Sequence, residues 1–110
     1  MNDSNKIREF LNELGVPYGI VGRVYLEDAI ILAQDKPVCQ TTKYLYPKIA
    51  EKRNTTPSRV ERAIRHAVEA TFTSVGNLDA LHRYFGNAIN PVKGKMTNRA
   101  FIDACAAALK

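Results

Sequence analysis

Between Ser58 and Glu69 the chain spaces Ser58, Arg59, Glu61, Arg62, Arg65, His66 and Glu69 so that they gather on one side of a helix turning about 100° per residue. Val60, Ala63, Ile64, Ala67, Val68, Ala70 and Thr71 fall on the other side, and only Phe72 breaks the division. A split of this kind predicts one buried face and one wet face. The wet face combines arginines with a serine, a histidine and a glutamate. Arginine donates paired bonds to guanine, a carboxylate accepts from cytosine, and serine and histidine reach base edges or phosphates over shorter distances. The chemistry open to this set is nucleic-acid recognition. The competing reading is a solvated amphipathic helix whose charges have no specific partner.

The elements that would position these side chains are marked in the sequence. Thr56 followed by Pro57 fits an N-cap and first-turn pair, because proline has no N–H to lose there and its φ is already helical. Ser58 with Glu61 offers a competing capping box. With either start, free N–H groups and the positive end of the helix dipole lie beside Thr55, Thr56 and Ser58, a seat suited to phosphate. Upstream, Thr41 or Thr42 would cap a helix through Lys43, Tyr44, Leu45, Tyr46, Ile49, Ala50 and Lys52. Pro47 requires that helix to kink or to start effectively at Tyr46. Arg53 and Asn54 then form a corner, since asparagine enters the left-handed region more readily than most residues. A short helix, a tight turn and a longer amphipathic helix make the helix-turn-helix pattern.

The remainder reads as helices that complete a core. Ile7, Phe10, Leu11 and Leu14 stand at helical spacing over residues 6–14, with Gly15 as a stop. Residues 16–22 are a turn-rich connector, in which Gly19-x-x-Gly22 is too short and isolated for a phosphate loop. A second helix is expected over residues 23–33 with Val24, Leu26, Ala29, Ile30 and Ala33 buried, and with Glu27 and Asp28 as surface charge. After the break at Ser74-Val75-Gly76, Asn77 or Asp79 opens a short helix with Leu78, Leu81 and Phe85, ended by Gly86. Residues 87–96 are irregular, and their Lys93 and Lys95 would touch a DNA backbone or lie in solvent. Thr97 or Asn98 caps a last helix whose buried stripe is Ala100, Phe101, Ala104, Cys105, Ala108 and Leu109. The expected class is all-α, about six helices in one domain spanning residues 1–110, with the turn-helix core over 42–72.

Composition narrows the function. The 110 residues are 45% hydrophobic and 25% charged, as in an ordinary globular domain, with a net charge of +5. Residues 41–70 carry seven lysines and arginines against three glutamates, so +4 of that excess lies in the turn-helix stretch, the footprint expected of a nucleic-acid binder. The longest apolar run is too short for a membrane, and the N-terminus has no signal-peptide pattern. Cys39 and Cys105 stand apart and outside any C-x-x-C, which reads as reduced thiols in a cytoplasmic protein. His66 and His82 lack partners at zinc-binding spacing, and no P-loop or nucleophile motif occurs. Neither an enzyme nor a cofactor or metal is expected.

The run Asn54-Thr55-Thr56-Pro57-Ser58-Arg59-Val60-Glu61-Arg62-Ala63-Ile64-Arg65-His66-Ala67-Val68-Glu69 resembles the recognition helix of the effector domain of stage-zero sporulation protein A, the master sporulation regulator of endospore-forming bacteria. The likeness extends to Gly15-Val16-Pro17, Tyr25-Leu26 with Ala29-Ile30, Thr42-Lys43 with Leu45-Tyr46-Pro47 and Ile49-Ala50. It continues through Gly76-Asn77 with Asp79, Phe85-Gly86, and Thr97-Asn98 with Phe101-Ile102. It implies a six-helix fold with a helix-turn-helix that binds a short double-stranded DNA box and contacts the sigma factor of RNA polymerase. On that resemblance Arg59, Glu61 and Arg62 would read bases, while Thr55, Thr56, Ser58, Arg65 and His66 would hold the DNA backbone or flanking positions. Asn77, Leu78, Asp79 and Phe85 would belong to the polymerase-facing segment.

Three features depart from the family pattern. The 110 residues contain no receiver domain, so no aspartyl-phosphate switch is expected within them; the expectation is a monomer in solution that pairs on tandem boxes. Residues 70–76 lack the tryptophan and basic residue usual before the glycine, and His82-Arg83-Tyr84 replaces small polar residues. The reading from a different class is an interaction module of the same fold that binds polymerase or a partner regulator without reading DNA. Arg59, Glu61 and Arg62 speak against it, since such a module has no need of them.

Overall fold

The computed structural model describes residues 4–35, 44–73, 78–86 and 96–109. Among them the chain forms six helices and no strand. The first, α1 (Ser4–Leu14), buries Ile7, Phe10, Leu11 and Leu14. It ends at Gly15, whose φ of 84° only glycine adopts without strain. Gly15 N–H donates to the Asn12 carbonyl (3.1 Å) and Val16 N–H to that of Leu11 (3.0 Å), the bond pair of a Schellman stop. Val16 is then buried with Leu11, the apolar contact that accompanies such a stop.

The centre of the molecule is α2 (Val21–Asp35), packed against α1, α3, α4 and α6. It starts two residues earlier than the periodicity predicts, because Gly22 is helical and serves a close approach. A Cβ placed there would overlap the Ala63 carbonyl oxygen of α4 and lie 3.0 Å from the Ala67 Cβ. Leu26, Ala29 and Ile30 are fully buried and Ala33 nearly so, whereas Val24, expected inside, is 38% exposed. Arg23 is the polar residue that closes the α1–α2 corner. Its guanidinium donates to the Val16 carbonyl (2.9 Å), the Arg8 carbonyl (3.1 Å) and Asn12 Oδ1 (2.6 Å), and packs 4.4 Å from the Tyr18 ring centroid.

The remaining helices are α3 (Tyr46–Arg53), α4 (Pro57–Thr73), α5 (Leu78–Phe85) and α6 (Asn98–Ala108). Thr97, not Asn98, caps α6: its Oγ1 accepts the Ala100 N–H at 3.1 Å. The buried residues of α6 are Phe101, Ile102, Cys105 and Ala106, with Ala108 exposed. That arc is rotated from the expected stripe because α2, α4 and α5 all pack on this helix. Phe72, the residue out of place on the α4 wheel, is partly buried and meets Phe101 edge-on, with centroids 6.2 Å apart.

Candidate nucleic-acid interface

The turn between α3 and α4 is built from local preferences. Pro47 sits in the first turn of α3, where its missing N–H costs nothing, and a π turn at Tyr44 and Leu45 leads directly into the helix. Asn54 stands at φ 56°, ψ 51°, the left-handed corner that asparagine tolerates. Its N–H and that of Thr55 both reach the Ala50 carbonyl, the latter at 2.9 Å. Thr56 Oγ1 accepts the Arg59 N–H at 3.2 Å, and the Val60 N–H donates to the Thr56 carbonyl at 3.0 Å. Thr56 is therefore the cap, and the Ser58–Glu61 box is not used. Ser58 is left exposed beside Thr56 and Pro57 at the positive end of α4, and Thr55 is half-buried at the corner.

Asp28 fixes the far side of that corner. It is 5% exposed, so its expected place on the surface is corrected. Arg53 Nε donates to Oδ2 at 2.7 Å and Arg53 Nη2 to Oδ1 at 3.0 Å, while Lys52 Nζ reaches Oδ1 at 3.1 Å. A carboxylate withdrawn from water needs such partners, and here they are the last two residues of α3. The signal was present in sequence, since Asp28 shares the turn of Leu26, Ala29 and Ile30 on a helix that had to bury them.

Along α4, Val60, Ile64, Ala67, Val68 and Thr71 are buried. The Thr71 hydroxyl is accommodated by donating to the Ala67 carbonyl at 2.8 Å. On the opposite face Ser58, Arg59, Arg62, Arg65 and His66 are exposed, with Glu61 and Glu69 half-buried at its edges. Arg65 pairs with Glu61 at 3.7 Å, an exposed one-turn contact of the weak class. The side chains of Arg59 and Arg62 have no ion-pair partner among the described residues. The basic stretch thus divides in two: Lys52 and Arg53 neutralise an internal carboxylate, and the α4 arginines face outward. At 17 residues α4 is roughly 25 Å long, and its diameter of about 10–12 Å matches a major groove about 12 Å wide.

Two contacts support α4 from behind. One is the backbone approach at Gly22. The other is Asn98, at the start of α6, whose Nδ2 donates to the Tyr46 hydroxyl (3.0 Å) and to the Glu61 carbonyl (3.2 Å). Tyr46 is 5% exposed. Burial pushes its pKa above the usual 10.0, opposed by the Asn98 bond. Sequence reasoning named neither Gly22 nor Asn98 for this role, because each acts across a distance of dozens of residues.

Of the residues expected to face polymerase, only the side chain of Phe85 is described. Asn77 lies outside the described residues. Leu78 and Asp79 are the first two positions of α5, and their side chains also lie outside the description. Phe85 is corrected to a core residue: it is 2% exposed, with its ring 5.4 Å from Phe101 and 6.4 Å from Phe10. Lys93, Lys95 and the proposed caps Thr41 and Thr42 fall outside the described residues as well. Among those described, no three His, Cys, Asp or Glu side chains group as metal ligands, and no helix is long and apolar enough to cross a membrane.

An all-helical domain with a supported helix-turn-helix and an arginine face on its second helix defines the class of DNA-binding effector domains. The family described as Sporulation initiation factor Spo0A C terminal matches residues 7–109. The chain belongs to that family, the DNA-binding effector domain of a sporulation regulator.

Proposed function

We propose that residues 1–110 act as one helix-turn-helix domain that reads a short double-stranded DNA box with α4 in the major groove. The observation that carries the reading is the outward arginine face of α4, with Arg59 and Arg62 without an ion-pair partner among the described residues while neighbouring Lys52 and Arg53 are paired with the buried carboxylate of Asp28. Arg59, Glu61 and Arg62 contact base edges. Thr55, Thr56 and Ser58 at the positive end of α4, with Arg65 and His66, hold phosphates or flanking positions. The Glu61–Arg65 pair supports this division, because a weak exposed pair can open at little cost when DNA arrives. Two such domains pair on tandem boxes. A sigma-factor contact through α5 would use its exposed His82, Arg83 and Tyr84 rather than Phe85.

The test is a mobility-shift titration against the family's box and a scrambled duplex of the same length and salt. A specific domain should bind the box at least about a thousandfold more tightly. Equal weak binding to both would refute base reading and favour an interaction module.

A further inference from the structure

We propose that Asn98 is a positioning residue for base recognition, acting through Glu61. The inference deepens the DNA-reading proposal and rests on it. Asn98 opens α6, yet its side-chain amide spans both helices of the reading motif, touching the Tyr46 hydroxyl in the first turn of α3 and the Glu61 carbonyl in the second turn of α4. The bond reaches α4 from a helix outside the motif. It lands on the backbone of a residue whose own carboxylate faces the reading side. Thr97 holds the start of α6 by its cap, and Phe101 and Ile102, fully buried one turn on, hold the helix itself, so the donor arrives from a fixed frame.

The bond sets the rotation and height of α4 at Glu61. With it, the Glu61 side chain leaves the backbone at a defined position beside Arg62. Without it, α4 keeps its apolar anchors but can roll by a fraction of a residue. A small roll spoils a base contact, which depends on direction, more than a phosphate contact, which depends mainly on charge. Tyr46 serves the bridge differently, because its hydroxyl holds the amide of Asn98 while the ring itself is packed in the core.

The experiment measures box and scrambled-duplex affinities as a function of salt for wild type, Asn98→Ala, Glu61→Ala, the double variant and Tyr46→Phe, each with a melting curve. The expected result is that Asn98→Ala stays folded and loses about five- to tenfold of discrimination, the net worth of one hydrogen bond, with its salt slope unchanged. In the Glu61→Ala background the same substitution should change discrimination by less than about twofold, since the residue it acts through is gone. Tyr46→Phe keeps the Glu61 bond and should retain most of the box preference. If wild type prefers the box and Asn98→Ala keeps that preference, the bridge is overturned and the base reading stands. If the two losses add in the double variant, or both duplexes weaken in step with the melting temperature, Asn98 is merely structural. If wild type binds both duplexes alike, the base reading itself fails and this proposal with it.

Discussion

At the scale of single residues, the outward arginines are not equivalent. Arg62 has no ion-pair partner among the described residues and stands beside Glu61 on the reading face, so Arg62→Ala should remove about 1–3 kcal/mol of preference for the box over scrambled DNA. Retained preference in a mobility-shift titration would displace Arg62 from the base contacts. Arg65 answers to a different measurement. Arg65→Ala should weaken both duplexes alike and lower the salt slope by about one. Cys105 makes a prediction about pH. Burial drives its thiol well above the ordinary 9.0, so the folded state keeps a proton that the unfolded chain loses. Stability from this group is fully present below about pH 9 and falls as pH rises further, by up to about 1.4 kcal/mol per unit. Urea midpoints measured from pH 8 to 10 should fall less steeply in Cys105→Ala than in wild type; parallel slopes would show that the thiol is not protected.

At the scale of elements, the contact between α2 and α4 governs how the arginine face is held. Gly22→Ala replaces a poor helix former, which in open surroundings would gain about 1 kcal/mol. Here the new methyl meets the Ala63 carbonyl, and overpacking of this kind costs about 1–3 kcal/mol. Net destabilisation is expected, with weaker box binding; a raised melting temperature would mean that the helices separate freely. Ile64→Asp should unfold the domain, because Ile64 is fully buried and an unpaired carboxylate there costs several kcal/mol, whereas Glu61→Ala should leave the melting temperature nearly unchanged.

The sequence carried what local chemistry decides. The Thr56–Pro57 start, the Asn54 corner, the Gly15 stop and the division of α4 into two faces all follow from preferences within one or two turns. What it did not carry depends on partners far along the chain. Asp28 looks like surface charge until Arg53 is folded against it, and Gly22 looks like a connector until Ala63 arrives. Ala108 reads as buried by periodicity, but three neighbouring helices turn α6 by a fraction of a turn. Phe85 is expected in a polymerase-facing segment only by resemblance, and its own apolar ring packs inward.

At the scale of the whole molecule, the large exposed apolar side chains are Tyr18, Val21, Val24 and Tyr84 among the described residues. These described residues alone offer little apolar surface for a stable dimer of a chain carrying +5. A monomer is expected at micromolar concentration, with two domains pairing on adjacent boxes one helical turn apart. Per-site affinity on a two-box duplex should exceed that on one box, and inserting half a turn should abolish the gain. A dimer seen by light scattering without DNA would refute this.

The central place of α2 has a consequence for the order in which the molecule assembles. Its partner α6 begins 63 residues beyond its end, from Asp35 to Asn98, whereas α3 and α4 are neighbours in the chain. The α3–α4 hairpin closes a short loop, but docking α6 on α2 closes a long one, and long closures slow folding even in helical proteins. The barrier should therefore lie at the arrival of α6. Refolding followed by tyrosine fluorescence, the chain having no tryptophan, should slow markedly in Ile102→Ala. In Thr56→Ala, which removes the α4 cap, the lost stability should show chiefly as faster unfolding. The reverse pattern would place the nucleus in the hairpin. With the barrier at α6, the arginine helix acquires its shape early and its rear support from Asn98 only at the end, so on the proposed role of Asn98 any capacity to discriminate between DNA sequences would be the last property the chain gains as it folds.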